Sequence, residues 1–207
     1  MTDKDAFNRM LERLRNDVGE IIKLVVAERS RDRDWCPWWA LARMTFPIAE
    51  SIGDLIYKST PSNNLINVLG KDLALINPQY ASMPNSLALL YRHSLMHQDE
   101  LRSLDTQSGT LVWMLSFGMN SEHLKLKQIN QDKYPVFRVN IDITQFYEDL
   151  VRLLEDKIKN PTPGAWNRYD EWHKLSLIGS EKKAETASRE EIEAIVKRLG
   201  HSKKPPF

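Results

Sequence analysis

At 207 residues the chain is long enough for one sizeable core, with or without an appendage. Its 29 basic and 28 acidic residues leave a net charge of +1, which excludes a global field drawing the protein toward nucleic acid or an anionic membrane, so any nucleic-acid site must be local. The single cysteine, Cys36, excludes an intramolecular disulfide and a cysteine metal cluster and suits a reducing cytoplasm.

Residues 1–10 lack the apolar core of a signal peptide. The longest apolar run, "IIKLVVA", is too short to cross a bilayer and carries a lysine. The expectation is a soluble, cytoplasmic protein with no membrane partner.

Helical spacing dominates the chain. Over residues 3–29, Phe7, Met10, Leu11, Leu14, Val18, Ile21, Ile22 and Val25 recur at intervals of three and four, with Thr2 and Asp5 as a cap. A break, "RSRDRDW", follows. The second helix is expected from Pro37 to about Lys58, since proline suits a first turn, with a kink at Pro47. "STPSNN" reads as a loop. A helix over about 63–75 stops before "NPQYASMPN", and a fourth runs over about 84–101.

The period then changes to two. "GTLVWMLSFG", "EHLKLKQ" and "YPVFRVNI" alternate as strands do, and predict a small antiparallel β-meander inserted at about residues 109–141. Leu124 and Leu126 would share one face of the middle strand, Lys125 and Lys127 the other. Asp142 with Gln145 caps a fifth helix whose stripe is Phe146, Leu150, Leu153, Leu154 and Ile158. "KNPTPG" ends a core domain of residues 1–160. The extension, 161–207, holds a short helix around Trp166, Tyr169 and Trp172. Its second helix, at about 188–199, is capped by Ser188 with Glu191, and its stripe must dock on the core or on another chain.

One segment asks for chemistry. "LLYRHSLMHQDEL", residues 89–101, puts Arg92, His93 and His97 on a leucine-rich helix, where each polar head needs a partner. A structural reading makes His97 a hydrogen-bonded core histidine beside Leu90 and Leu101. A metal reading pairs His93 with His97, four residues and about 40° apart, but no further ligands stand out. A third reading is phosphodiester chemistry: arginine is a planar, permanently charged phosphate fork, and histidine exchanges protons near neutral pH. Arg92 and His97 project about 140° apart on an ideal helix, so a long arginine, a bent turn or a second subunit must bring them to one phosphate.

"YRHSLMH" resembles the Arg-(polar)-x3-His signature of HEPN (higher eukaryotes and prokaryotes nucleotide-binding) domains, with Arg92 as the arginine, His93 as the polar follower and His97 as the histidine. The follower is often asparagine in those domains. The resemblance extends over about residues 35–158, through "FPIAESIGDLIYKS", "PSNN" and "NIDITQFYEDL". It implies a mainly α fold, a HEPN-like helical bundle that forms a homodimer with the motif at the subunit interface; the antiparallel β-meander insertion and the C-terminal helical extension read from the periodicity lie outside that minimal bundle.

The activity it implies is that of a metal-independent endoribonuclease or RNA-binding protein of toxin or defence type, needing no cofactor. Arg92 and His97 would act, and His93 would assist. The implied partners are a second copy of the chain, RNA, and an antitoxin or regulatory protein. The rival is a non-catalytic interaction module whose motif is a buried polar network at the dimer interface.

Three other groups have two readings each. Arg29, Arg31, Arg33 and Arg43 with Trp35, Trp38 and Trp39 would clamp RNA, or the tryptophans fill the core while Asp32 and Asp34 neutralise the arginines. Lys125, Lys127, Lys133 and Arg138 would touch phosphates, or form a solvated sheet face. Trp166, Tyr169 and Trp172 would stack on bases, or form a packing seam. Cys36, without a base partner, reads as buried and inert.

Overall fold

A computed structural model gives the fold; the residues it describes are 1–29, 38–90, 103–106, 109–118, 122–130 and 135–178. In chain order the elements are α1 (Asp3–Arg13), a π-helical turn (Leu14–Gly19), α2 (Glu20–Arg29), α3 (Trp38–Tyr57) and α4 (Pro61–Asn67). A second π turn (Val68–Leu73), α5 (Ala74–Ile76), a 3-10 turn (Pro78–Ser82) and α6 (Pro84–Leu90) follow. After them come β1 (Leu104–Thr106), β2 (Gly109–Ser116), β3 (Leu126–Gln128), β4 (Val136–Asp142), α7 (Ile143–Lys159) and α8 (Ala165–Ile178). The protein is mainly helical, as its periodicity predicts.

The first helix begins where expected: the Thr2 amide donates to the Asp5 carboxylate at 2.5 Å, and the Asp5 amide to the Thr2 carbonyl at 2.9 Å. Its stripe needs the π turn. Met10, Leu14, Val18 and Ile22 are four apart and would drift about 40° per step around an ideal α-helix. The wider turn over Leu14–Gly19 reduces that drift, and all four side chains are buried. Pro47 lies within α3, as predicted.

The loop "STPSNN" is shorter than its composition predicts. Pro61 is the first residue of α4, a position where its missing N–H is no loss. Buried Asn64 closes the turn by accepting from the Ser59 amide at 3.0 Å and donating to the Ser59 carbonyl at 3.1 Å and to Asp54 at 3.0 Å. The packing of α3 on α4 is close enough that a Cβ on Gly53 would lie 2.5 Å from the Asn64 carbonyl oxygen.

The antiparallel meander is not what forms. The sheet is mixed, in the order β1-β2-β4-β3, and the central pair, β2 and β4, is parallel from Thr110 opposite Val136 to Ser116 opposite Asp142. It also starts earlier than residue 109, with β1. Alternation shows which residues share a face but not which strands pair, and pairing follows burial. The parallel register sets Leu111, Trp113 and Leu115 beside Phe137, Val139 and Ile141 on one face. That face meets α3 and α7, where Phe46 lies 6.1 Å from Trp113 and 4.6 Å from Phe146, centroid to centroid.

The expected middle strand shrinks to the edge segment β3. Leu124 leaves the strand, with φ at +59° and its side chain buried, whereas Leu126 is half exposed. They do not share a strand face.

By contacts the chain divides into two units, Met1–Arg168 and Tyr169–Phe207. Residues 161–168, expected in the extension, belong to the first unit because hydrogen bonds tie them there. The Asp3 carboxylate accepts from the Gly164 amide at 3.0 Å and the Trp166 amide at 2.8 Å, and Arg168 Nε donates to the Leu55 carbonyl at 2.7 Å. The Arg9 guanidinium also lies 5.4 Å from the Trp166 ring centroid. In the second unit, Tyr169 and Trp172 stack at a tilt, 6.4 Å apart. The tail helix expected at 188–199 lies outside the described residues.

Candidate functional site

Arg92, His93 and His97 lie outside the described residues, as do Trp35 and Cys36. What is described is their approach. Helix α6 buries Leu87, Ala88 and Leu90 in the bundle and leaves Leu89 about half exposed. Arg92 stands two positions beyond the last described residue of that helix.

The densest polar cluster among the described residues is elsewhere, and sequence reasoning missed it. It joins the 3-10 turn, the segment before β3, the end of β4 and α7. The Asp142 amide donates to His123 Nδ1 at 3.0 Å, so Nδ1 carries the lone pair and the neutral ring carries its proton on Nε2. Nε2 then donates to the Tyr80 hydroxyl at 2.8 Å, which passes its own proton toward Asp149 Oδ2 at 3.0 Å. The other oxygen of Asp149 accepts from Gln145 Nε2 at 2.8 Å. Three bonds thus run in one direction, from the Asp142 amide to Asp149, and a fourth, donated by Gln145, meets them at that carboxylate.

A second branch continues from Asp142. Its carboxylate caps α7 by accepting from the Gln145 amide at 3.1 Å, as the sequence predicts, and also accepts from Ser116 Oγ at 3.0 Å. Asn140 Nδ2 donates to Ser116 Oγ at 2.9 Å and more weakly to the Glu122 carbonyl at 3.3 Å. The same stretch of β4 holds the unusual backbone of Leu124, whose amide donates to the Asn140 carbonyl at 2.7 Å. A left-handed leucine persists only where its surroundings over-determine it. Here bonds on both sides do so.

Burial sets the electrostatics. Desolvation, partly opposed by the Asp142 charge and its backbone bond, lowers the His123 pKa to about 4. Burial likewise pushes the Asp149 carboxyl up, against the hydrogen bonds from Gln145 and Tyr80, and holds the Tyr80 hydroxyl well above its ordinary value. The separation of 3.8 Å between His123 Nε2 and Asp149 is therefore not an ion pair, because the ring is neutral. Tyr80, His123, Asp142 and Asp149 are each more than nine-tenths buried, so no substrate reaches them, and only Gln145 at the end of the relay is partly exposed. Its chemistry is that of a directional internal brace.

One sequence signal points to part of it. Asp149 interrupts the apolar stripe of α7, three residues after Phe146 and four before Leu153, and a carboxylate on such a face needs a buried donor. Nothing in "EHLKLKQ" marks His123.

The basic residues are less available than their sequence implies. Lys125 pairs with Glu122 at 3.3 Å, and Lys127 pairs with the same carboxylate. Arg43 lines a cavity of about 180 Å³ with Arg13, Asp17, Pro47 and Ser51, where Arg13 Nε lies 3.4 Å from Asp17. An apolar groove of about 490 Å³ separates the 3-10 turn from the sheet and is lined by Gln79, Met83, Leu111, Leu124, Leu126 and Phe137. Among the described residues, no three His, Cys, Asp or Glu side chains group to hold a metal ion, and no helix is long and apolar enough to cross a membrane.

No family model, curated protein or solved structure matches this chain.

Proposed function

We propose that the chain is a HEPN-type protein acting on RNA, a metal-independent endoribonuclease that works as a homodimer with Arg92, His93 and His97 facing a shared cleft. One observation carries this reading: the Arg-(polar)-x3-His spacing follows directly on α6, a helix seated in the bundle by Leu87, Ala88 and Leu90. A cytoplasmic location and an antitoxin or regulatory partner belong to the same proposal.

The chemistry follows from the residue types. His97 takes the proton of a ribose 2′-hydroxyl, and the 2′-oxygen attacks phosphorus. The bond to the 5′-oxygen breaks, leaving a 2′,3′-cyclic phosphate, and the departing oxygen collects a proton to become a 5′-hydroxyl. Two copies of His97 in a dimer divide the base and acid roles. Arg92 holds the charge that builds on the phosphoryl oxygens, and His93 orients the substrate. The nucleophile is the substrate's own hydroxyl, so the reaction asks for no metal.

The rival reading is a non-catalytic interaction module, and one observation favours it: this fold already closes a neutral histidine in a buried polar network, at His123. The two separate cleanly. Purified protein should cleave mixed RNA in EDTA, and Arg92→Ala and His97→Ala should each abolish cleavage while leaving the melting temperature nearly unchanged. Intact RNA at several pH values, together with alanine variants that unfold or split the dimer, would establish the interaction module instead.

A further inference from the structure

We propose that Tyr80 and His123 are positioning residues for helix α6: their hydrogen-bonded chain to Asp149 holds the turn from which that helix, and the segment bearing Arg92 and His97, departs. The activity arm of this inference rests on the RNA-cleavage reading above, whereas its structural arm does not.

Tyr80 sits in the middle of a turn that is fixed at both ends. Upstream, the Asn77 amide donates to the Leu73 carbonyl at 2.8 Å, the Asn77 side chain caps the Gln79 amide at 3.1 Å, and the Tyr80 amide bonds the Asn77 carbonyl at 3.1 Å. Downstream, only Met83 separates the turn from α6, and the Leu87 amide donates to the Met83 carbonyl at 3.0 Å. The start of α6 is also wedged against the second π turn, since a Cβ on Gly70 would lie 3.1 Å from Pro84. So short a connection transmits a displacement of Tyr80 to α6 with little loss.

The hydroxyl is what fixes Tyr80. Its ring already packs on Phe146, at 6.2 Å between centroids, and on His123 at 5.5 Å. Ring packing tolerates sliding, but the two hydrogen bonds, one accepted from His123 and one donated to Asp149, set the depth and the rotation. His123 is in turn locked by a backbone amide of β4, whose register against β2 spans seven residue pairs. The longest strand pairing of the sheet is thereby coupled to the helix that leads into the motif.

Tyr80→Phe keeps the ring and removes the hydroxyl. Measured well below its melting temperature, this variant should lose at least tenfold in kcat for RNA cleavage with KM within twofold, and the amides of Leu87–Leu90 should exchange at least tenfold faster. Leu11→Ala, a core change in α1, serves as the control for stability alone and should alter neither. Should Tyr80→Phe fail to fold, His123→Leu, which leaves no donor toward the Tyr80 hydroxyl, supplies the same readouts. Exchange in α6 no faster than in Leu11→Ala, or an unchanged kcat in an RNA-cleaving protein, overturns the inference. If the wild-type protein cleaves no RNA, it is the nuclease reading that fails, and the exchange rates alone decide the role of Tyr80.

Discussion

Acidification from pH 7 to pH 4 should destabilise this protein through His123. The ring is buried, accepts a backbone N–H at Nδ1, and has its pKa lowered from 6.5 to about 4. The unfolded chain therefore binds a proton between those two values that the folded chain refuses, and stability falls as pH drops through that window. At about 1.4 kcal/mol per pH unit the loss approaches 3 kcal/mol. Above pH 7 both states are neutral at this position and the effect is absent.

Asp149 works against it. Burial raises its pKa, so the folded state takes up that proton more readily than the unfolded chain, and its contribution has the opposite sign above pH 3.8. A comparison with His123→Gln isolates the histidine, because glutamine does not titrate and keeps a donor toward Tyr80. Urea unfolding at pH 7, 5.5 and 4 should show the difference between the two proteins changing by about 3 kcal/mol, with the wild type losing more. Parallel pH profiles, or an NMR titration of His123 with a midpoint near 6.5, would refute the reasoning.

Three more outcomes follow from the packing. Asp142→Ala removes both the N-cap of α7 and the acceptor of Ser116, and should lower stability by about 2 kcal/mol in urea unfolding, whereas a loss under 0.5 would deny it both roles. Gly53→Ala drives a methyl onto the Asn64 carbonyl and should destabilise by about 1–3 kcal/mol, read as a lowered melting temperature. Leu24→Lys, on a side chain 65% exposed, places a lysine four residues after Glu20 and should shift stability by no more than about 0.5 kcal/mol. A larger loss, or a change in sedimentation, would mean that this face is covered in solution.

Much of the helical architecture was legible in the sequence because its signals are local. Thr2 with Asp5 and Asp142 with Gln145 each act within four residues, over the reach of the helical hydrogen bond, whereas the helix start at Pro61 was read as loop. The stripe of α7 read correctly for the same reason. The start of α6 at Pro84 was legible for the same reason, whereas the motif Arg92, His93 and His97 rests on a resemblance and lies outside the described residues.

What the tertiary structure decided are the features whose partners lie far along the chain. The tautomer and orientation of His123 depend on Tyr80, 43 positions away, and on the amide of Asp142, 19 positions away. The parallel pairing of β2 with β4 arises because it buries two apolar rows against α3 and α7, a choice that alternation cannot express. The π turn at Leu14–Gly19 belongs with these, since it lets side chains four residues apart share the buried face. Short-range hydrogen bonding writes itself into neighbouring residues, whereas burial is a property of the assembled core and becomes readable only once distant segments meet.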